Sequence, residues 1–281
     1  MSLPAHVELC DVGPRDGFQF EDEFIPTDLK VETITALADA GVPRIQVTSF
    51  VHPKWVPQMK DAEEVCERLP ERDDVTYAGL ALNQRGLERA QAAGLSQVDL
   101  SIATHDQHSR DNANMTVEEA VAQAEDMVRY AHDHGLQAQM GFQTVFGYRE
   151  PADTPLDQVV EMSRHFAEMG VESLSLADST GLANPRMIQN RVEAVQAVLG
   201  DVPLVLHLHD TRGLGLANVY AALDVGVTRF DTSLAGMGGC PFIDGATGNI
   251  ATEDTVYLLD GLGVDTGVDR ATVGEASLRI E

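Results

Sequence analysis

The sequence predicts an α/β fold, a closed (β/α)8 barrel with a short extra C-terminal helix. Three observations carry this expectation. Eight short runs rich in β-forming residues recur at intervals of roughly 20–40 residues. Amphipathic segments with helical period lie between them, and several end in a glycine just before the next strand, at Gly41, Gly94, Gly135, Gly170, Gly200 and Gly226. The first strand-to-helix turn reads "GPRDGFQFED" and lacks GxGxxG, which disfavours a doubly wound dinucleotide-binding sheet, the second-choice fold. Eight strand–helix units make a TIM barrel.

The predicted strands are "VELCDVG" (7–13), "RIQVTSF" (44–50), "VTYAGLAL" (75–82), "QVDLSIA" (97–103), "QAQMGFQTV" (137–145), "SLSLADS" (173–179), "LVLHLHDT" (204–211) and "RFDTSLAG" (229–236). Helices are expected, for example, over 27–42 and 116–135, and a last one begins to form around "EASLRIE". No stretch is linker-like or of low complexity, so 1–281 is expected to be a single catalytic domain.

Composition narrows the function class. Of 281 residues, 45 are acidic and 19 basic, a net charge of −26, and only Lys30, Lys54 and Lys60 are lysines. Such a surface repels nucleic acid and anionic membranes. No apolar run approaches the roughly 18–20 residues of a membrane span. The N-terminal residues lack a basic region leading into an apolar stretch, so a secretory signal is not expected. Cys10, Cys66 and Cys240 are odd in number and far apart, which fits a reducing cytoplasm better than a disulfide framework.

Barrel geometry then gathers chemistry. Active sites of this fold lie at the carboxyl ends of the strands, and closure sets strand 1 beside strand 8, itself beside strand 7. His207 and His209 alternate with Leu206 and Leu208, so the two imidazoles share one face. Strand 1 leads into Arg15 and Asp16, and strand 8 into a glycine-rich loop that reaches Asn249. Asp16, His207, His209 and Asn249 are therefore expected to converge. One carboxylate, two imidazoles and an amide oxygen suit a divalent cation such as Mg2+ or Mn2+; a thiolate-rich set would suit zinc.

The segments "DVGPRDGFQ", "TSFVHPKWVPQM", "HLHDTRGLGLAN" and "AGMGGCPFIDGATGNIATED" resemble the signature stretches of the 3-hydroxy-3-methylglutaryl-CoA lyase family, metal-dependent TIM-barrel lyases. The resemblance runs from about residue 7 to 268. It implies that Asp16, His207, His209 and Asn249 are metal ligands and that Arg15, Asp178 and Cys240 are catalytic. Arg15, Gln46, Ser49 and Ser175 are the expected substrate-binding positions. It further implies an acyl-CoA thioester substrate, cleaved between C2 and C3 by a retro-aldol step, and a homodimer or higher homo-oligomer.

The departures from the family gather where the rim of the barrel is expected. Gln46 stands where the family has an acid, and glutamine cannot exchange a proton at neutral pH. Gln19-Phe20-Glu21, "QTVFGYREP" and "GLALNQ" also differ, with Phe20, Tyr148 and Arg149 as candidates for a reshaped acyl pocket. Two other readings use the same features: an acyl-CoA-dependent condensing enzyme of the isopropylmalate or homocitrate synthase kind, and a non-catalytic metal- or CoA-binding barrel. The Gly-Gly-Cys-Pro loop disfavours the first, and the retained Arg15, Asp16, Asp178 and Cys240 disfavour the second.

Overall fold

The computed structural model describes residues 3–239 and 248–280. Cys240 lies outside them. Eight strands form a closed parallel barrel in sequence order: β1 (Glu8–Asp11), β2 (Arg44–Ser49), β3 (Thr76–Ala81), β4 (Gln97–Ala103), β5 (Gln137–Gln143), β6 (Ser173–Ala177), β7 (Leu204–His207) and β8 (Arg229–Thr232). Pairing of Cys10 with Asp231 closes the ring from β1 to β8. The helices are α1 (Thr27–Asp39), α2 (Ala62–Arg68), α3 (Gln84–Ala92), α4 (Asp106–Ala113), α5 (Val117–Asp133), α6 (Leu156–Glu168), α7 (Pro185–Leu199), α8 (Gly215–Asp224), α9 (Thr252–Leu262) and α10 (Arg270–Ile280). The expected extra C-terminal helix is α10, which packs on α1 and α9.

Local chemistry explains the boundaries. Thr116 and Glu119 form a reciprocal capping box that starts α5, and Asn83 and Asn184 cap α3 and α7 by accepting from Gly86 and Met187 N–H. The six glycines expected to end helices all have positive φ, between 59° and 86°. Most strands end two to four residues before the sequence pattern does. Those residues leave the sheet at the barrel mouth, where they carry the site.

The barrel has two faces of opposite chemistry. Outward residues of the strands, among them Ile45, Val98, Met140, Leu174, Leu206 and Phe230, are fully or nearly fully buried against the helices. Many inward positions are polar, among them Cys10, Arg44, Gln46, Gln97, Asp99, Gln139, Ser173, Ser175, His207 and Asp231, with Ala78, Leu80 and Val205 between them. Buried polar groups must be paired, so such an interior is stable only as a hydrogen-bonded network. Between Gln46 and Thr48 the β2–β3 register shifts by one residue. The bulge turns Thr48 outward, where its hydroxyl meets the Met59 sulfur, and sets Ser49 in register with Leu80 and, across β4, Asp99.

Candidate active site

β1 is followed by a tight helical turn over Gly13–Gly17 that places Arg15 and Asp16 at the carboxyl end of the barrel. Gly13 fits because a Cβ there would lie 2.1 Å from Leu234. Asp16 is the hub of the site. Its Oδ1 accepts from Arg15 Nη1 and, at 3.0 Å, from Gln19 Nε2; its Oδ2 accepts from Asn249 Nδ2 at 2.8 Å. Burial pushes the Asp16 carboxyl up, but the Arg15 guanidinium, with His207 and His209, outweighs this and holds it below the usual range.

The strand alternation expected for β7 is present. Leu206 and Leu208 are fully buried on the outer side, while His207 Nε2 and His209 Nε2 face each other at 3.2 Å on the other. His209 itself lies just past β7, paired with Asn249 through an isolated antiparallel bridge. Asp231 on β8 holds His207 through Nδ1 at 3.3 Å, which assigns the proton to Nδ1 and turns the Nε2 lone pair toward Asp16 Oδ2, 3.9 Å away. Burial lowers the proton affinity of His207, yet Asp231 and Asp16 more than reverse this; His209, buried beside His207, is pushed down to about 4.

This donor set fits a cation. Ligand atoms of Asp16, His207 and His209 lie within 4.8 Å of one another. Asn249 donates both its amide protons, to Asp16 and to the Met237 carbonyl, so its Oδ1 is left buried with no hydrogen-bond partner in the structure. A carboxylate, a buried amide oxygen without a partner and two imidazole nitrogens 3.2 Å apart form a donor set that a divalent cation would satisfy. The four expected ligands are thus brought together from the ends of β1, β7 and β8.

The remaining expected positions are distributed around this centre. Asp178 follows β6; its N–H is donated to the His207 carbonyl, and its carboxyl accepts from Leu182 and Ala183 N–H. It is nearly fully buried, which pushes its carboxyl up to about 7 against those hydrogen bonds. The helix cap at α7 is Asn184, so Asp178 instead pins the loop before it. Gln46 accepts from Arg15 Nε, and Ser175 is buried on the inner side of β6. Ser49 Oγ accepts from Val51 N–H.

The rim residues fare differently. Phe20 is 37% exposed and packs over Gly239 beside the site. Tyr148 is buried against α4, with its hydroxyl donated to Asp111 and its ring near His105 and His108. Arg149 is exposed with its guanidinium 5.7 Å from the Tyr148 ring. Sequence reasoning missed Gln19, Asp99, Arg44 and Asp231. The signal for the last three was their period-2 spacing with other polar residues on β2, β4 and β8.

The HMGL-like family model matches residues 6–279. The chain belongs to the HMGL-like family. It is 39% identical over 281 residues to hydroxymethylglutaryl-CoA lyase YngG of Bacillus subtilis, covering 100% of this chain and 94% of that one. It is 39% identical over 280 residues to the 3-hydroxy-3-isohexenylglutaryl-CoA/hydroxymethylglutaryl-CoA lyase of Pseudomonas aeruginosa, covering 100% and 93%. A solved HMG-CoA lyase of Acinetobacter baumannii, in complex with coenzyme A and 3-methylmalate, superposes with a TM-score of 0.93 at 35% identity, covering 98% of this chain and 90% of that one. This HMGL-like chain is thereby a carbon–carbon lyase. Among the described residues, no helix is long and apolar enough to cross a membrane.

Proposed function

We propose that this lyase cleaves the C2–C3 bond of a 3-hydroxyacyl-CoA bearing a distal carboxylate, giving an acyl-CoA and a keto acid. The observation that carries the reading is the buried, unpartnered Asn249 Oδ1 beside Asp16, His207 and His209, with Arg15 bound to the same Asp16. Asp16, His207, His209 and Asn249 are the proposed holders of Mg2+ or Mn2+. The bound cation supplies Lewis-acid chemistry, lowering the pKa of the substrate hydroxyl and fixing its orientation.

The side chains divide the remaining work. Asp178, buried and with a carboxyl near neutrality, is the proposed base for the C3 hydroxyl proton. As that proton leaves, the C3–O electrons form the ketone, the C2–C3 bond breaks, and its electron pair passes to the thioester as an enolate. Arg15, charged at all relevant pH, stabilises the enolate oxygen. Cys240, by family resemblance, returns a proton to C2. Gln46, Ser49 and Ser175 are the proposed contacts to the acyl portion. We assign the whole chain to one catalytic domain acting in the cytoplasm, as a homodimer or higher homo-oligomer.

The test is a coupled assay for both products over a panel of 3-hydroxyacyl-CoAs with Mg2+ or Mn2+. Release of acyl-CoA and keto acid in equal amounts, abolished by chelation, is the expected result. Absence of cleavage across the panel would overturn the reading.

A further inference from the structure

A buried polar chain runs from the site down through the barrel. Arg15 Nε donates to Gln46 Oε1, Gln46 Nε2 donates to Asp99 Oδ2, and Arg44 Nη2 donates to Asp99 Oδ1. Arg44 is completed by Gln97 Oε1 at 3.1 Å and Cys10 Sγ at 2.9 Å. Gln46, Asp99 and Arg44 are each at least nine-tenths buried. We propose that Asp99 and Gln46 are positioning residues for the Arg15 guanidinium, with Arg44 fixing Asp99 from below. This rests on the role given to Arg15 in the proposed cleavage.

Donor and acceptor valence makes the argument. An arginine only donates and an ionised carboxylate only accepts. Gln46 therefore has one allowed orientation: a flipped amide would set its NH2 against Arg15 Nε–H and its oxygen against Asp99. Asp99 has two acceptor oxygens, and both are demanded, one by Arg44 and one by Gln46. An asparagine at position 99 would have one. Buried Arg44 would take it, and the new amide NH2 would meet the Gln46 NH2. Relieving that clash by flipping Gln46 moves the mismatch up to Arg15. The chain thus transmits an error at Asp99 to the reacting centre, and misplacement by about 1 Å there costs on the order of a hundredfold.

The same valence rules give a rescue. In the double variant Asp99→Asn with Gln46→Glu, Arg15 and the amide at position 99 both donate to the carboxylate at position 46. Arg44 donates to the amide oxygen at position 99. Every donor again has an acceptor, and the net charge of the chain is that of the parent. Gln46→Glu alone places two carboxylates in contact.

The experiment measures kcat, KM, bound cation and thermal unfolding for the parent, both single variants and the double. We expect Asp99→Asn to lower kcat about a hundredfold with little change in KM or cation content, and the double to recover most of that loss. On an Arg15→Lys background, Asp99→Asn should cost nothing further in kcat. Turnover-independent evidence comes from the Arg15 Nε–H resonance, assigned by its loss in Arg15→Lys. It should shift in Asp99→Asn and return in the double. If Asp99→Asn does not fold, Gln46→Glu and the double carry the same comparison. A double no better than the worse single variant, or an Asp99→Asn effect of equal size on both backgrounds, would overturn the proposal. A parent that cleaves no 3-hydroxyacyl-CoA would overturn the functional reading alone, with the resonance still deciding whether Arg15 is positioned through Asp99.

Discussion

Asn249 Nδ2 donates to Asp16 Oδ2 over 2.8 Å, joining the loop after β8 to the turn after β1. The bond fixes which end of the amide faces inward. With both amide protons used on Asp16 and Met237, the oxygen is the atom left for a ligand. Protein-to-protein hydrogen bonds thus pre-set the donor atoms of the proposed cation site, which would limit the ordering cost of binding.

The first prediction concerns the imidazoles. Changing His207 and His209 together to alanine is expected to bring bound cation and turnover below detection, while far-UV circular dichroism and cooperative unfolding are kept. Both side chains sit at the mouth rather than in the apolar shell formed by Leu206 and Leu208. Full cation content by elemental analysis in the double variant would sink the ligand assignment.

Gly238→Ala should weaken cation binding without replacing any proposed ligand. Gly238 has φ +128°, a conformation costly for alanine, and an added Cβ would lie 2.5 Å from Asn249 Nδ2 and 3.4 Å from Asp16 Oδ2. The amide must move, and its oxygen with it. A loss of roughly ten- to hundredfold in cation affinity is expected by calorimetry, the range for disturbed supports of ligands. Unchanged affinity would show that the loop yields freely.

The frame of this molecule was legible because periodicity is local. The "LVLHLH" alternation placed both imidazoles on one face, and closure of an eight-stranded barrel made β1, β7 and β8 neighbours without any contact information. Apart from Gln19, which meets Asp16 three residues away, what escaped notice depends on pairs far apart in sequence. Arg44 and Asp99 are 55 residues apart, and nothing within either strand says which carboxylate meets which guanidinium. The polar positions of "RIQVTS" and "QVDLSIA" were visible, yet a polar interior face and a solvent-exposed one have the same period. The β2 bulge, which turns Ser49 inward in place of Thr48, leaves no mark in the sequence.

Asp11 predicts a pH-dependent stability. Its carboxyl is fully buried, accepting from Gly13 N–H and the Thr252 hydroxyl, and burial pushes it from 3.8 to about 7. Because the folded value lies above the unfolded one, the folded chain holds the extra proton between them. The stabilisation is therefore complete below about 3.8 and is lost as pH rises through about 7, to a total of about 4 kcal/mol. Asp11→Asn cannot ionise and keeps its neutral form throughout. Between pH 5 and 8 the parent should lose stability relative to Asp11→Asn in parallel denaturant titrations. A constant difference across that range would mean Asp11 is ionised in the fold.

The last prediction is that the preferred substrate carries an acyl substituent other than the methyl of 3-hydroxy-3-methylglutaryl-CoA. The proposed cation ligands and Arg15 lie together, whereas the residues around them are those that the family resemblance led us to expect to differ. Phe20 packs over Gly239 at the edge of the site, and Gln46 meets Arg15 where an acid was expected. Tyr148 is buried against α4, so its effect is on the shape of the β4–α4 rim rather than by direct contact. Recognition of an acyl group depends on apolar shape and a few paired polar groups, and each mispaired buried group is costly. Changing the rim while keeping the reacting groups alters which acyl chain fits and leaves the reaction type alone. A relative 39% identical over nearly its whole length is named for both an isohexenyl and a methyl compound. The check is kcat/KM over a series in which only the C3 substituent is varied, from hydrogen through methyl to long branched chains. A clear optimum at methyl would show that Phe20 and Gln46 are neutral for acyl choice, and that the pocket has drifted in sequence without changing its ligand.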